Sequence, residues 1–193
     1  ERSLAAHAAH ALRTPLAGMD AQLAVALAEC DPASRERLQK VRAAGGRLQR
    51  VVAALIALFR TGTEAQRVAV DVASLVAQIP VQGVTVKTVG DCKLQADPDL
   101  LAAALANLMD NAQRYGAQQI TLHCPTAQSL QIADDGPGID TAQREALQQA
   151  LCAQAYERLS GMGLMLADRV ARAHGGKLTL DETKRGFAAT LHL

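Results

Sequence analysis

The stretch HALRTPLAG, residues 10–18, places a proline inside a run that otherwise has the spacing of an amphipathic helix. A proline in a helix interior removes one hydrogen bond and clashes with the preceding turn, at a cost of about 3 kcal/mol. Small or apolar residues nevertheless recur in steps of four and three from Ala5 to Cys30, which is typical of a helix with a coiled-coil seam. The stretch therefore predicts a first helix that bends at Pro15, close to His10.

A second helix is predicted directly after the first. Asp31 and Pro32 supply an N-cap and a first-turn proline, and apolar residues then recur at helical spacing as far as Phe59. Because two helices cannot bury seams of this length alone, two such hairpins usually pair to form a four-helix bundle. The sequence therefore predicts a helical hairpin that forms a homodimer, through residues such as Leu48 and Leu55.

Composition excludes several classes of protein. The chain has 193 residues, 49% of them hydrophobic, and a net charge of +1, so no overall field recruits nucleic acid or an anionic membrane. No run approaches the roughly 20 apolar residues of a membrane span, and the first residues are not a signal peptide, so the chain is expected to be soluble. The helical spacing is already present at residue 5, which indicates a fragment of a longer protein.

The cysteines are spread over the chain without any Cys-x-x-Cys pair. This spacing argues against both a zinc site and a disulfide framework. The sequence therefore predicts a reduced protein in the cytosol. The cysteines are Cys30, Cys92, Cys124 and Cys152.

After residue 66 the hydrophobic period changes. Six segments have the period of two that is typical of strands, and helical runs separate them at about 72–78, 98–114, 141–153 and 164–174. The predicted fold class is therefore α+β, in which a mixed sheet covered on one face by helices follows the hairpin. The strand segments lie at 67–72, 84–89, 119–124, 130–135, 177–182 and 187–193.

The segment ALANLMDNAQRYG, residues 104–116, carries the first chemical signal. Asn107 and Asn111 stand four residues apart and so share a helix face. A carboxamide oxygen suits Mg²⁺, and Arg114, one turn along, can meet a phosphate. An Asn pair at this spacing is also common on a solvated helix face, so the pattern leaves both interpretations open.

The segment ADDGPGID, residues 133–140, carries the second signal. Asp134 can accept a hydrogen bond from an exocyclic amine, while Gly136 and Gly138 let the backbone approach a flat ring. A plain turn after a strand explains the same residues.

The third signal is SGMGL, residues 160–164, in which a glycine pair opens a helix. Backbone amides at a helix N-terminus form a ready anion site, and Gly161 and Gly163 leave that end accessible. A flexible joint is an equally good interpretation of this pair.

The order of these motifs resembles the H, N, G1 and G2 boxes of two-component sensor histidine kinases. In chain order the motifs are His-x-Leu-Arg-Thr-Pro-Leu with its helical hairpin, Asn-x-x-x-Asn, Asp-x-Gly-x-Gly and Gly-x-Gly-Leu. The resemblance covers essentially the whole chain. It implies a dimerisation and phosphoacceptor domain over residues 1–62. Residues 63–193 would form an ATP-binding domain of the Bergerat (GHKL) type, which is an α/β sandwich.

The resemblance also implies roles for single residues. His10 would be the phosphorylated histidine, within a catalytic motif that includes Arg13, and Thr14 occupies the family's phosphatase position. Asp134 would read adenine, and Asn111 would bind Mg²⁺. The other nucleotide-binding residues would be Asn107, Arg114, Tyr115, Gly136, Gly138, Arg158, Gly161, Gly163 and Leu164.

Two of these roles have plain alternatives. Thr14 fits equally well as a hydroxyl that bonds back to its own helix. Arg158, which would contact the γ-phosphate, fits almost as well as a surface arginine.

The implied cofactors are ATP and Mg²⁺. The implied partner is the receiver domain of a response regulator, whose aspartate accepts the phosphoryl group from His10, and no nucleic acid partner is expected. The chain would be the cytoplasmic domain of an inner-membrane protein, attached to the membrane only through a segment that is absent from this chain.

Two positions depart from the family pattern. Ala11 stands where the family has Glu or Asp, which orients the imidazole and takes its proton, a role worth about 10²- to 10⁴-fold in rate. Met165 stands where a third glycine of the G2 box is usual. These departures motivate an alternative function, a kinase-impaired, phosphatase-biased or nucleotide-binding scaffold that engages a response regulator. An ATPase of the Hsp90 or MutL kind is disfavoured, because those proteins lack the His-x-x-Arg-Thr-Pro hairpin.

Overall fold

The computed structural model describes residues 15, 18–60, 65–79, 81, 83–159 and 162–193. The chain divides into two compact units, Glu1–Gly62 and Thr63–Leu193. The bend predicted at Pro15 depends on neighbours outside the described residues. The side chain of Arg158 also lies outside them, as do His10, Ala11, Arg13, Thr14 and Gly161.

Among its described residues the first unit contains two helices, α1 over residues 18–29 and α2 over Pro32–Arg60. Asp31 caps α2, because its Oδ1 accepts hydrogen bonds from the backbone N–H groups of Ala33 at 2.9 Å and Ser34 at 3.0 Å. The helical hairpin and its cap are therefore confirmed.

This hairpin carries a cross-helix ion pair and an exposed apolar surface. Arg42 Nε on α2 donates to Asp20 Oδ1 on α1 at 2.9 Å. Large apolar side chains at roughly half exposure on both helices are typical of a surface that packs against further helices. They are Met19, Val25, Val41 and Leu48, which are 51%, 52%, 50% and 45% exposed.

The second unit contains two sheets and four helices within the described residues. Strands β1 and β3 form an antiparallel pair, and the other five strands form a mixed sheet in the order β2-β4-β5-β7-β6, in which only β2 and β4 are parallel. The elements are β1 Val68–Asp71, α3 Val72–Ala77, β2 Thr85–Val89, β3 Lys93–Ala96, α4 Pro98–Arg114, β4 Gln119–Thr126, β5 Ser129–Asp134, α5 Thr141–Cys152, a 3₁₀ turn Tyr156–Arg158, α6 Met162–Ala173, β6 Lys177–Leu180 and β7 Ala188–His192.

The core of this unit lies on one face of the five-stranded sheet. Helices α4 and α6 pack against each other, and α6 also contacts β6 and β7. Each large side chain buried there contributes about 1.5–3 kcal/mol. The opposite face is polar, with Gln131 Nε2 donating to Asp181 Oδ2 at 2.8 Å. The central core side chains, at most 4% exposed, are Ile120, Leu122, Leu130, Ile132, Leu101, Leu105, Met109, Leu166 and Val170. The predicted fold class, with helices on one face of a mixed sheet, is therefore confirmed.

One expectation about the cysteines is wrong. Cys92 and Cys124 form a disulfide with their Cα atoms 5.1 Å apart, although 32 residues separate them in the chain. They meet because β3, which follows Cys92, contacts β4, which contains Cys124. Cys30 and Cys152 are free thiols.

Within the described part of the chain, no helix combines the length and the hydropathy that crossing a bilayer requires.

Candidate functional site

A pocket of about 220 Å³ opens in the second unit, between α4, the end of β5, α5 and the start of α6. Apolar side chains form most of its wall, and a few polar groups converge on it, which is typical of a small-molecule site. The lining residues are Leu108, Asn111, Ala112, Tyr115, Ile132, Asp134, Pro137, Gly138, Ile139, Gln143, Leu147, Leu164 and Phe187.

Asp134 is the acidic group of this pocket and ends β5. Its Oδ1 accepts hydrogen bonds from the backbone N–H groups of Gly136 at 2.9 Å and Phe187 at 3.3 Å. Its Oδ2 has no hydrogen-bond partner among the described residues. The backbone therefore orients the carboxylate and leaves one oxygen able to accept a hydrogen bond from a ligand.

Glycines let the loop after β5 approach the β6–β7 connection closely. Gly138 has φ +71°, and a Cβ on it would collide with the carbonyl oxygen of Gly186, which itself has φ +74°. This close approach brings Phe187 to the pocket wall. The Asp-x-Gly-x-Gly segment thus shapes the wall as well as supplying Asp134.

Asn111 on α4 and Gly163 on α6 meet beside the pocket. Gly163 is buried, and a Cβ at this position would collide with the side-chain amide of Asn111. The next residue, Leu164, lines the pocket. The absence of a side chain at Gly163 therefore lets the start of α6 approach Asn111.

The other predicted residues of α4 differ in position. Asn107 is 8% exposed and donates from Nδ2 to the carbonyl of Ala103 at 2.9 Å, outside the pocket lining. Tyr115 lines the pocket although it is 57% exposed. Arg114 is exposed and does not line it. The structure therefore brings Asn111 and Tyr115 to the pocket with Asp134, and leaves Asn107 and Arg114 outside its wall.

Asp135 fixes the strand ends behind the pocket. Its Oδ1 accepts hydrogen bonds from the backbone N–H groups of Gln119 and Gln118, both at 2.8 Å. These two bonds hold the pKa of Asp135 below its ordinary value, and the bond from Gln119 has the larger effect. The start of β4 is thereby tied to the end of β5, next to Asp134.

Sequence reasoning missed the apolar wall and the contribution of α5. Gln143 and Leu147 stand one turn apart on α5 and both line the pocket, so the helical spacing contained a usable signal. Phe187 is one of two phenylalanines in the chain, and a rare aromatic directly after a glycine was a second signal. The other residues that sequence reasoning missed are Leu108, Ala112, Ile132, Pro137 and Ile139.

Two protein families match the chain. Residues 1–64 match the His Kinase A (phospho-acceptor) domain, and residues 96–193 match the family described as Histidine kinase-, DNA gyrase B-, and HSP90-like ATPase. The second match includes every residue that lines the pocket.

Similar proteins include sensor kinases from several bacteria. The Sensor protein QseC of Escherichia coli (strain K12) is 29% identical over 219 residues, which cover 96% of this chain and 46% of QseC. The Adaptive-response sensory kinase SasA of Trichormus variabilis is 35% identical over 106 residues, covering 48% of this chain and 25% of SasA. The chain thus spans less than half the length of these relatives.

The fold is shared with a solved structure, the Acinetobacter baumannii histidine kinase AdeS. The TM-score is 0.56 at 18% sequence identity, with 94% of this chain and 95% of that chain covered. The two family matches show, and the shared fold agrees, that this chain belongs to the two-component sensor histidine kinases.

Proposed function

We propose that this chain is the catalytic core of an ATP-dependent sensor histidine kinase. In this proposal residues 1–62 are the dimerisation and phosphoacceptor domain, and residues 63–193 are the ATP-binding domain. The observation that carries it is Asp134, whose Oδ2 accepts no hydrogen bond from the described residues and which lies in one pocket with Asn111 and Leu164.

Asp134 would read the base. Its free oxygen can accept from the exocyclic amine of adenine, whereas the carbonyl of guanine would leave it unpaired and repelled. The pocket, at about 220 Å³, is smaller than the roughly 300–1,000 Å³ of typical ligand sites. It therefore suits the base and leaves the phosphates at its mouth, beside the start of α6.

Asn111 would hold Mg²⁺ through its carboxamide oxygen. No group of three or more His, Cys, Asp or Glu side chains able to hold a metal occurs in the described part of the chain. Mg²⁺ is commonly bound by one or two protein ligands together with substrate phosphates, so a single side chain fits that mode. When bound, Mg²⁺ neutralises charge on the phosphates.

His10 would be the nucleophile. A neutral imidazole nitrogen attacks the γ-phosphorus of ATP, so that an N–P bond forms while the P–O bond to ADP breaks, and the second ring nitrogen releases its proton to water. The phosphoryl group would then pass to an aspartate of a response regulator receiver domain. Thr14, four residues after His10 in the sequence, would orient a water that hydrolyses the regulator's aspartyl phosphate and releases inorganic phosphate.

We also propose a homodimer and a cytoplasmic position below an inner-membrane segment outside this chain. The exposed apolar side chains of α1 and α2, Leu48 among them, support the dimer. This chain matches only 46% of the length of QseC, which supports the proposal that the whole protein has further segments outside this chain.

The test is phosphorylation of the full chain with γ-labelled ATP and Mg²⁺. The expected result is a label that is labile in acid and stable in base, and that the His10→Gln variant lacks. His7→Gln is the matched control and should keep the label. A label that survives in His10→Gln, or one that is stable in acid, contradicts the proposal.

A second candidate is a kinase-impaired scaffold that favours the phosphatase reaction. Ala11 supports this alternative, because alanine at this position provides no carboxylate to accept the imidazole proton. Met165 is half-buried on α6 and does not line the pocket, so it adds no direct obstruction there. Retained ATP binding without any label on His10 would support this candidate.

A further inference from the structure

Helix α6 carries a buried carboxylate that the nucleotide pocket does not use. Asp168 is fully buried, and its Oδ2 accepts from Tyr156 Oη at 2.8 Å and from Arg172 Nε at 2.7 Å. Its Oδ1 accepts from the backbone N–H of Leu178 at 3.1 Å. These partners satisfy the hydrogen-bonding capacity of the buried carboxylate. Losing one partner would therefore weaken the contacts of the others.

Tyr156 is held from two sides. The guanidinium of Arg169 lies over its ring, 5.4 Å from the centroid, while its hydroxyl reaches Asp168. Burial, and then the neighbouring Asp168, raise the pKa of Tyr156 above its ordinary value. The hydroxyl therefore stays protonated and remains a donor at neutral pH.

The same network holds the end of α5. Arg172 Nη2 donates to the backbone carbonyl of Leu151 at 3.0 Å, while its Nε binds Asp168. Tyr156 begins the 3₁₀ turn that follows α5. Three side chains of α6, at positions 168, 169 and 172, thus fasten the last turn of α5 and the 3₁₀ turn to one helix.

The 3₁₀ turn held by these side chains is close in sequence to the start of α6, which lies beside the pocket. The 3₁₀ turn ends at Arg158 and α6 begins at Met162, so only residues 159–161 connect them. Leu159, the first of these, is 8% exposed. Gly163 then lies against Asn111. Because the connection is short, the position of the 3₁₀ turn constrains where the first turn of α6 can lie.

We propose that Tyr156, held by Asp168, is a positioning residue for the phosphate end of the nucleotide site. It fixes the 3₁₀ turn and thereby the start of α6 beside Asn111. The base end depends instead on Asp134, which belongs to β5 and its following loop. This inference rests on the proposed nucleotide-binding function, and it predicts that losing the Tyr156 hydroxyl affects the phosphates and not the base.

The test compares ATP with adenosine, both in the presence of Mg²⁺, on the full chain. In Tyr156→Phe we expect ATP to bind about five- to twentyfold more weakly, while adenosine, followed by NMR shifts of the β5 amides, changes less than twofold. Arg169→Gln, an exposed position that leaves the hydroxyl contact in place, should weaken ATP about two- to threefold with adenosine again unchanged.

Asp181→Asn is the matched control for a lost polar contact. Asp181 accepts from Gln131 at 2.8 Å and Thr190 at 2.6 Å on the opposite face of the sheet, so both ligands should bind as to the parent. Unchanged ATP binding in both test variants would overturn the proposal, and so would equal losses for ATP and adenosine. Failure of the parent chain to bind either ligand would instead overturn the nucleotide-binding function itself.

Discussion

Gly163 illustrates how one absent side chain shapes the site. A Cβ there would overlap the amide of Asn111, so Gly163→Ala must displace Asn111 or the start of α6. Overpacking of this kind costs about 1–3 kcal/mol. We expect Gly163→Ala to bind ATP with Mg²⁺ about tenfold more weakly or worse, by calorimetry.

Gly45→Ala is the control, because nothing lies within 4 Å of a Cβ at Gly45 in α2. Replacing a glycine inside a helix by alanine gains about 0.5–1 kcal/mol, so this variant should be slightly more stable and bind ATP normally. Unchanged ATP affinity in a folded Gly163→Ala variant would show that Asn111 is not held through this contact.

Ala11 is the second residue whose replacement discriminates between mechanisms. If its missing carboxylate limits the reaction, Ala11→Glu should raise the initial rate of His10 phosphorylation at least about tenfold, measured at saturating ATP. A carboxylate also raises the pKa of the imidazole, which disfavours the neutral nucleophile, but orientation and proton acceptance should dominate. Ala11→Gln orients without accepting a proton and should gain less. Equal rates for parent and Ala11→Glu would mean that another base or water takes the proton.

At the scale of the elements, His174 joins the end of α6 to the start of α4. Its Nε2 accepts from the backbone N–H of Asp97 at 2.9 Å, and its Nδ1 bonds the carbonyl of Val170 at 2.7 Å. The ring is 1% exposed and must be neutral to accept at Nε2. Burial lowers the pKa of His174, and the nearby charge of Arg67 acts in the same direction.

This geometry predicts a loss of stability in mild acid. The unfolded state binds the proton at its ordinary pKa of about 6.5, and the folded state only at lower pH. The contribution of neutral His174 to the free energy of unfolding is therefore complete above about pH 7. It declines as pH falls below about 6.5 towards the pKa of His174 in the folded state. We expect urea unfolding to show a free energy that decreases from pH 7 to pH 5. His174→Gln keeps a donor and an acceptor without a titrating ring, so its decrease should be smaller. The same slope in both proteins would contradict this assignment.

Element positions were largely accessible from the sequence, because long amphipathic runs have a strong period. The run predicted over 98–114 coincides with α4, whose N-cap Asp97 and Pro98 are ordinary helix-start residues. Strand β3 was missed, since Lys93–Ala96 has only four residues and too little alternation to separate it from a loop. The disulfide between Cys92 and Cys124 was missed for a related reason, because strand contacts bring the two residues together and no local spacing does.

The pocket was only partly accessible from the sequence. Asp134 and Asn111 stand in short motifs whose residue types suggest a ligand, so the sequence is enough to single them out. Phe187 reaches the same pocket where the loops at Gly138 and Gly186 approach closely, which is a tertiary contact that no local motif specifies. The spacing of Gln143 and Leu147 indicates that they share one face of α5, but only the packing of α5 brings that face to the pocket.

For the whole molecule, the exposed apolar surface of the hairpin supports the proposed dimer. Leu48 is 45% exposed within the chain, and a charge at this position would be buried without a partner in a four-helix bundle. Such a charge costs several kcal/mol, so Leu48→Glu should be a monomer at micromolar concentration by light scattering. Val68→Glu, at a 49% exposed position in the second unit, should remain a dimer. A monomeric parent chain would contradict the four-helix bundle.

Titration of Asp134→Asn with ATP and GTP shows whether the pocket around Asp134 binds an adenine nucleotide. The carboxamide oxygen of the asparagine can still accept hydrogen bonds from Gly136 and Phe187, so the fold should persist. Its NH₂ group would instead face the exocyclic amine of adenine, and two donors cannot form a hydrogen bond. We predict that the parent prefers ATP to GTP, and that Asp134→Asn loses about 1–3 kcal/mol of ATP affinity with an unchanged unfolding midpoint. Equal ATP affinity in the parent and in folded Asp134→Asn would mean that this pocket does not bind adenine through Asp134.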